Sequence, residues 1–124
     1  MEPVKNKILI IEDDEIIRKV IEWRLNKLGY TICGEASRGE DAIRLADELK
    51  PDAIIMDFLL AGNMDGIEAA RIIRKDRNVP FIFLTAHSDE KLLEKIIPLK
   101  PAHYILKPFS DNDLRIALGL SLGR

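Results

Sequence analysis

The sequence predicts an α/β fold, a doubly wound five-stranded parallel sheet with helices on both faces. Three observations carry this. Stretches of strand length, four of them apolar runs and one merely β-prone, recur five times along the chain, and a stripe of apolar residues at helical spacing follows each one. Four of the runs also end abruptly in polar groups, at Glu12-Asp13, Asp57, Thr85 and Lys107. In a sheet of this kind ligands sit beyond the carboxyl ends of the strands.

The first run, Ile8-Leu9-Ile10-Ile11, is continuously apolar, as expected of a strand buried on both faces. It stops at Glu12-Asp13-Asp14-Glu15. A stripe at Ile16, Ile17, Val20, Ile21, Leu25 and Leu28 then predicts a helix that Gly29 closes. Tyr30 to Ala36 predicts the second strand, and Ser37-Arg38-Gly39-Glu40 matches a capping box for a helix carrying Ala42, Ile43, Leu45, Ala46 and Leu49. Pro51-Asp52 opens the third strand, Ile54-Ile55-Met56-Asp57, whose carboxylate emerges where the strand should leave the core. Asp65 is the expected cap of a third helix with Ala70 and Ile73 inward. Phe81 to Leu84 is the fourth strand, ending in Thr85-Ala86-His87. Ser88 is the expected cap of a helix with the stripe Leu92, Leu93, Ile96, Ile97, which Pro98 stops. Tyr104-Ile105-Leu106 is the fifth strand. Ser110 and Asp113 should cap the last helix, carrying Leu114, Ala117, Leu118 and Leu120.

The totals narrow the function classes. At 124 residues the chain is expected to be one domain over 1–124, and 47% hydrophobic with 32% charged residues excludes disordered and fibrous classes. A net charge of −2 argues against direct nucleic-acid binding through bulk electrostatics. No apolar run approaches the roughly 18 residues of a membrane span, and Met1-Glu2-Pro3-Val4-Lys5 lacks a signal peptide's apolar region. The expectation is a cytoplasmic protein with no membrane contact. Cys33, the one cysteine, reads as a buried structural thiol.

Glu12, Asp13 and Asp57 brought together would resist ionisation, because like charges raise each other's pKa. A divalent cation removes that penalty, and carboxylate ligands suit Mg²⁺, which keeps several waters. Asp13 and Asp57 would be direct ligands, with Glu12 holding a coordinated water. An aspartate beside the metal can attack phosphorus, and Lys107 and the Thr85 hydroxyl would stabilise the transferring oxygens. Taken singly, each residue has a blander explanation: a loop acid, a turn threonine, a surface lysine. Asp14 or Glu15 is read as a helix cap, His87 and His103 as not metal ligands, and Trp23 and Met56 as packing residues. It is the coincidence of four strand ends that favours a site.

With these pieces assembled, the chain resembles the receiver domain of two-component response regulators over essentially its whole length. Carrying the resemblance are Lys7 to Asp14, Pro51 to Asp57, Met64-Asp65-Gly66-Ile67-Glu68, Leu84-Thr85-Ala86-His87 and Tyr104-Ile105-Leu106-Lys107-Pro108-Phe109, in that order and spacing. It implies a flavodoxin-like (βα)5 sheet in the order 2-1-3-4-5. It implies that Asp57 accepts a phosphoryl group from a sensor histidine kinase or phosphotransfer protein, and that Glu12 and Asp13 bind Mg²⁺ with the Leu59 main-chain carbonyl as a further ligand. It also implies that Lys107 contacts the phosphate ahead of a cis peptide at Pro108, and that Thr85 and Tyr104 form a switch pair. The switch would alter the surface of the fourth helix, fifth strand and fifth helix for a downstream output protein, a covalently linked domain or a homodimer partner.

Some segments depart from the family pattern. The stretch between Asp57 and Gly66 carries one residue more than the commonest receivers, with Ala61 where proline is usual, and Pro98 to His103 replaces a glycine- and alanine-rich approach to the fifth strand. The fourth helix is therefore expected to end early. Leu59 and His87 occupy positions that in this family tune acyl-phosphate hydrolysis, and apolar Leu59 predicts a phosphorylated state that is not among the shortest-lived. On this reading the chain is not an enzyme with turnover but a domain that phosphorylates and dephosphorylates itself. Three alternatives stay open: a phosphorylation-independent interaction module of the same fold, an aspartyl-phosphate phosphatase, which would want an acid where Leu59 stands, and a flavodoxin-like cofactor carrier, which would want hydroxyls and glycines at Glu12 to Glu15.

Overall fold

The structure is a computed structural model that describes residues 6–60, 62–86 and 90–123. In chain order the elements are β1 (Lys7–Ile11), α1 (Glu15–Leu28), β2 (Thr31–Ala36), α2 (Gly39–Leu49), β3 (Ala53–Asp57), α3 (Gly66–Asp76), β4 (Phe81–Thr85), α4 (Glu90–Ile96), β5 (Ala102–Leu106) and α5 (Asp111–Leu122), with a 3-10 turn at Ile97–Leu99. All strand pairs are parallel, in the order β2-β1-β3-β4-β5. This is the doubly wound sheet the sequence predicts, and α4 ends at Ile96, where a 3-10 turn containing Pro98 takes over.

Alternation along the strands divides the core in two. Leu9, Ile11, Ile54, Met56, Phe81 and Phe83 face α2, α3 and α4, while Ile8, Ile10, Ile55, Ile82 and Leu84 face α1 and α5. Because both faces are covered, each central strand is apolar throughout rather than alternating. Each such side chain, fully buried, contributes about 1.5–3 kcal/mol relative to exposure. Cys33 is half-buried against the α2 side, and burial raises its thiol pKa.

Most of the described helix ends follow local chemistry, and α2 departs from it. Asp14 caps α1, accepting from the Ile16 and Ile17 N–H groups, and Gly29 closes it at φ 90°. Asp65 caps α3, and Ser110 with Asp113 forms a capping box on α5. The capping box expected at Ser37 is not formed. Arg38 is the N-cap of α2 and makes no side-chain cap bond, because the helix starts one residue later, at Gly39, where it packs on Met64 and Ala69. The expected Ser88 cap and His87 lie outside the described residues, as does Ala61.

The helical stripes prove wider than the faces they bury. In α1 only Ile21 and Leu25 are fully buried, while Ile16 is 75% exposed and Val20 also faces out. Trp23, expected to pack inside, is 62% exposed with the Lys27 ammonium 4.6 Å from its ring centroid. Leu93, Ile97 and Leu120 are likewise exposed. A helix lying on a sheet covers only the residues beneath it, and the flanks of these stripes overhang the edge of the contact.

Arg74, near the end of α3, secures the approach to β5. Its guanidinium lies over the Phe81 ring and donates to the carbonyls of Leu99, at 2.7 Å, and Pro101, at 3.3 Å. It also donates to the Arg77 carbonyl and the Asn78 side chain. This fixes the departing segment Pro98 to Pro101, which contains a cis Lys100–Pro101 bond, against the sheet.

Candidate functional site

Four strand ends deliver the site, those of β1, β3, β4 and β5. β1 ends so that Glu12, fully buried, turns into the centre; its N–H donates to the Ala36 carbonyl and its carbonyl accepts from Arg18 Nη1 at 2.7 Å. Asp13 follows, exposed at the rim. β3 delivers Asp57, 6% exposed, whose Oδ1 accepts from the Leu59 N–H at 3.2 Å. Gly66 donates to the Phe58 carbonyl, and a Cβ at Gly66 would run into the Asp57 carbonyl oxygen, so only glycine lets α3 start this close to β3. β5 continues into Lys107, whose N–H donates to the Thr85 carbonyl at 2.8 Å and whose peptide to Pro108 is cis.

The charged groups meet. Lys107 Nζ lies 3.1 Å from Glu12 Oε1 and 3.2 Å from Asp57 Oδ2, and Glu12, Asp13 and Asp57 each offer an oxygen within 4.8 Å of the others. Burial first, and then the Asp57 carboxylate beside it, push the Glu12 carboxyl up to about 8. Burial disfavours the Lys107 ammonium, but Asp57 and Glu12 outweigh it and hold its pKa above the usual lysine value.

A cleft of about 340 Å³ opens above Asp57. Thr85 and Lys107 line it with Asp57, and so do Phe58, Leu59, Ala86, Leu92, Lys91 and Lys95. Thr85 is buried at the end of β4. Tyr104 is half-exposed on β5 and is not among the described residues lining the cleft. The strand register pairs Phe83 with Tyr104 and Thr85 with Leu106, so Thr85 and Tyr104 are diagonal neighbours on one face of the sheet. The structure therefore brings Glu12, Asp13, Asp57, Thr85, Lys107 and the Leu59 backbone to one place and sets Tyr104 beside it. Sequence reasoning missed Arg18 behind Glu12, and Lys91 and Lys95 over the cleft. The i, i+4 spacing of the two lysines was the only signal they gave.

A sheet of this topology, with an acid-rich cluster and a lysine at its carboxyl edge, is the arrangement the sequence resemblance implies. The chain belongs to the response regulator receiver domain family, whose sequence profile matches residues 8–119. Over 121 residues, 98% of this chain, it is 40% identical to the transcriptional regulatory protein PdtaR of Mycobacterium tuberculosis. It is 38% identical over 110 residues, 88% of this chain, to the transcriptional regulatory protein YdfI of Bacillus subtilis. These matches span 58% and 51% of the two relatives' lengths. Among solved structures it is similar to the receiver domain of the sensor histidine kinase PA1611 from Pseudomonas aeruginosa, which has a magnesium ion coordinated in its active-site cleft. That match has a TM-score of 0.85 and 34% identity, covering 96% of this chain and 98% of the other. Among the described residues no helix is long and apolar enough to cross a membrane.

Proposed function

We propose that this chain is a Mg²⁺-dependent phosphoacceptor that takes a phosphoryl group on Asp57 from the phosphohistidine of a sensor histidine kinase or phosphotransfer protein. The observation that carries the reading is the pair of contacts from Lys107 Nζ to Glu12 and Asp57, which leaves one lysine balancing three carboxylates. Glu12 is a poor structural choice in itself. A fully buried carboxyl with its pKa driven up to about 8 destabilises its charged form, and a hard divalent cation relieves that.

Asp13 and Asp57 would hold Mg²⁺ directly, Glu12 through water, and the Leu59 carbonyl would add a ligand. Mg²⁺ bound there supplies positive charge to the transferring phosphoryl oxygens. Asp57 supplies the nucleophile. A carboxylate oxygen bonds to phosphorus as the P–N bond to the donor imidazole breaks, and that electron pair returns to the ring nitrogen. As Asp57 becomes an acyl phosphate, Lys107 exchanges its contact with the Asp57 carboxylate for one with the new phosphoryl group. Thr85, lining the same cleft, turns its hydroxyl toward that group, and Tyr104, its diagonal neighbour, moves inward.

Signal output would follow from the exposed face around Tyr104. Leu106, Ile116 and Leu120 leave an apolar groove between β5 and α5 that an output protein, a linked domain or a second copy can cover. On the other side of the site, Ile16, Val20 and Phe109 form an apolar patch next to Lys107, suited to seating a protein donor. The chain would act by modifying itself, without turnover of a released substrate.

Intact mass after incubation with Mg²⁺ and acetyl phosphate tests the reading. A gain of one phosphoryl group, abolished by Asp57→Asn and by omitting the metal, is expected. A wild-type chain that gains nothing would overturn it in favour of a module that binds without being phosphorylated.

A further inference from the structure

The floor of the cleft above Asp57 has little attraction for a phosphodonor. Three carboxylates face one ammonium there, so the floor is anionic, and a divalent cation only brings it to neutrality. Lys107 is already engaged with Glu12 and Asp57. Small acyl phosphates are dianions at neutral pH, and a neutral or anionic floor does not draw them in.

The mouth of the cleft is different. Lys91 and Lys95 stand one turn apart on α4, both exposed, and both line the cleft. Lys95 Nζ lies 5.9 Å from the Phe58 ring centroid, which leans its ammonium over the cleft wall. Among the described residues, neither lysine is in an ion pair. Glu90 and Glu94 lie on the same helix but not among the residues lining the cleft.

We infer that Lys91 and Lys95 form a cationic rim that captures small anionic acyl phosphates and selects them over donors of lower charge. This rests on Asp57 being the phosphoacceptor. Leu92 and Phe58 line the same cleft and offer an apolar wall to the acyl group, while the rim draws the phosphate in and passes it down to Asp57. An Asp57 carboxylate oxygen then bonds to phosphorus, the bond from phosphorus to the acyl oxygen breaks, and the electron pair leaves on the released carboxylate. No proton is needed, so the rim's contribution is attraction and placement. Both lysines are positioning residues.

The experiment compares phosphorylation rates, by intact mass, for acetyl phosphate and for phosphoramidate, whose ammonium offsets part of its phosphoryl charge. Wild type is set against Lys91→Gln/Lys95→Gln and Lys91→Arg/Lys95→Arg across ionic strength. The glutamine pair is expected to slow acetyl phosphate about tenfold at low salt and less than about twofold at high salt, with phosphoramidate changed far less. The arginine pair should keep the wild-type rate. Equal slowing of both donors, or a loss that salt does not erase, would overturn the rim. Should wild type accept from neither donor, it is the phosphoacceptor reading that fails, so the two failures are distinguishable.

Discussion

Lys107 Nζ sits 3.2 Å from Asp57 Oδ2 while its other contact, at 3.1 Å, is to Glu12, so one ammonium bridges two buried carboxylates from different strands. Removing it leaves both without their cation. Lys107→Met should cost about 1–3 kcal/mol of stability in metal-free buffer and less with Mg²⁺, which replaces the missing charge. Urea unfolding with and without Mg²⁺ measures this. An equal loss under both conditions would mean that Lys107 acts through packing alone.

Glu12 makes stability depend on pH in an unusual direction. Its carboxyl is raised from 4.5 to about 8, so the folded chain binds that proton more tightly than the unfolded chain does. Stability contributed by protonated Glu12 is present below about 4.5 and is lost as pH rises toward 8. Metal-free protein should therefore lose Tm across that window, whereas Glu12→Gln and Mg²⁺-saturated protein should show flatter profiles. Scanning calorimetry at pH 5, 6, 7 and 8 checks it.

Thr85 and Tyr104 are diagonal neighbours on adjacent strands, and the proposed switch needs them coupled. Phosphorylated Thr85→Ala should fail to show the amide shifts around Tyr104 that phosphorylated wild type shows. A complete reversal of a 1:99 population requires about 5.5 kcal/mol of differential interaction, so partial shifts in the variant would report what Mg²⁺ and Lys107 contribute without the hydroxyl. Identical shifts in the two proteins would remove Thr85 from the switch.

Leu59 is 67% exposed at the lip of the cleft and carries no group that could orient water. Leu59→Asn places a hydrogen-bonding amide there and should speed loss of the phosphoryl group several-fold. Decay of the mass adduct after donor removal is the readout, and slower decay in the variant would contradict the assignment.

β1, β3 and β4 were legible because burial on both faces makes them almost wholly apolar, and the polar groups closing four of the five strands marked where the site must be. The resemblance also anticipated the cis bond at Pro108. What escaped depended on how wide each helix contact is. Periodicity places Ile16, Val20, Trp23 and Leu120 on or near helical stripes, but it does not say that the sheet stops short of them. Lys91 and Lys95 became cleft residues only through the placement of α4 against β3 and β4. Ser37 failed as a cap because the start of α2 is set by Gly39 packing on Met64 and Ala69, which is a tertiary constraint.

The Arg74 clamp gives β5 two unlike ends. At its start, the carbonyls of Leu99 and Pro101 are gripped from α3, while at its far end Lys107 reaches into the charged cluster. Between the two ends β5 is paired with β4 at every residue from Ala102 to Leu106, so whatever happens at Lys107 is met by a strand already anchored along its length and clamped at its start.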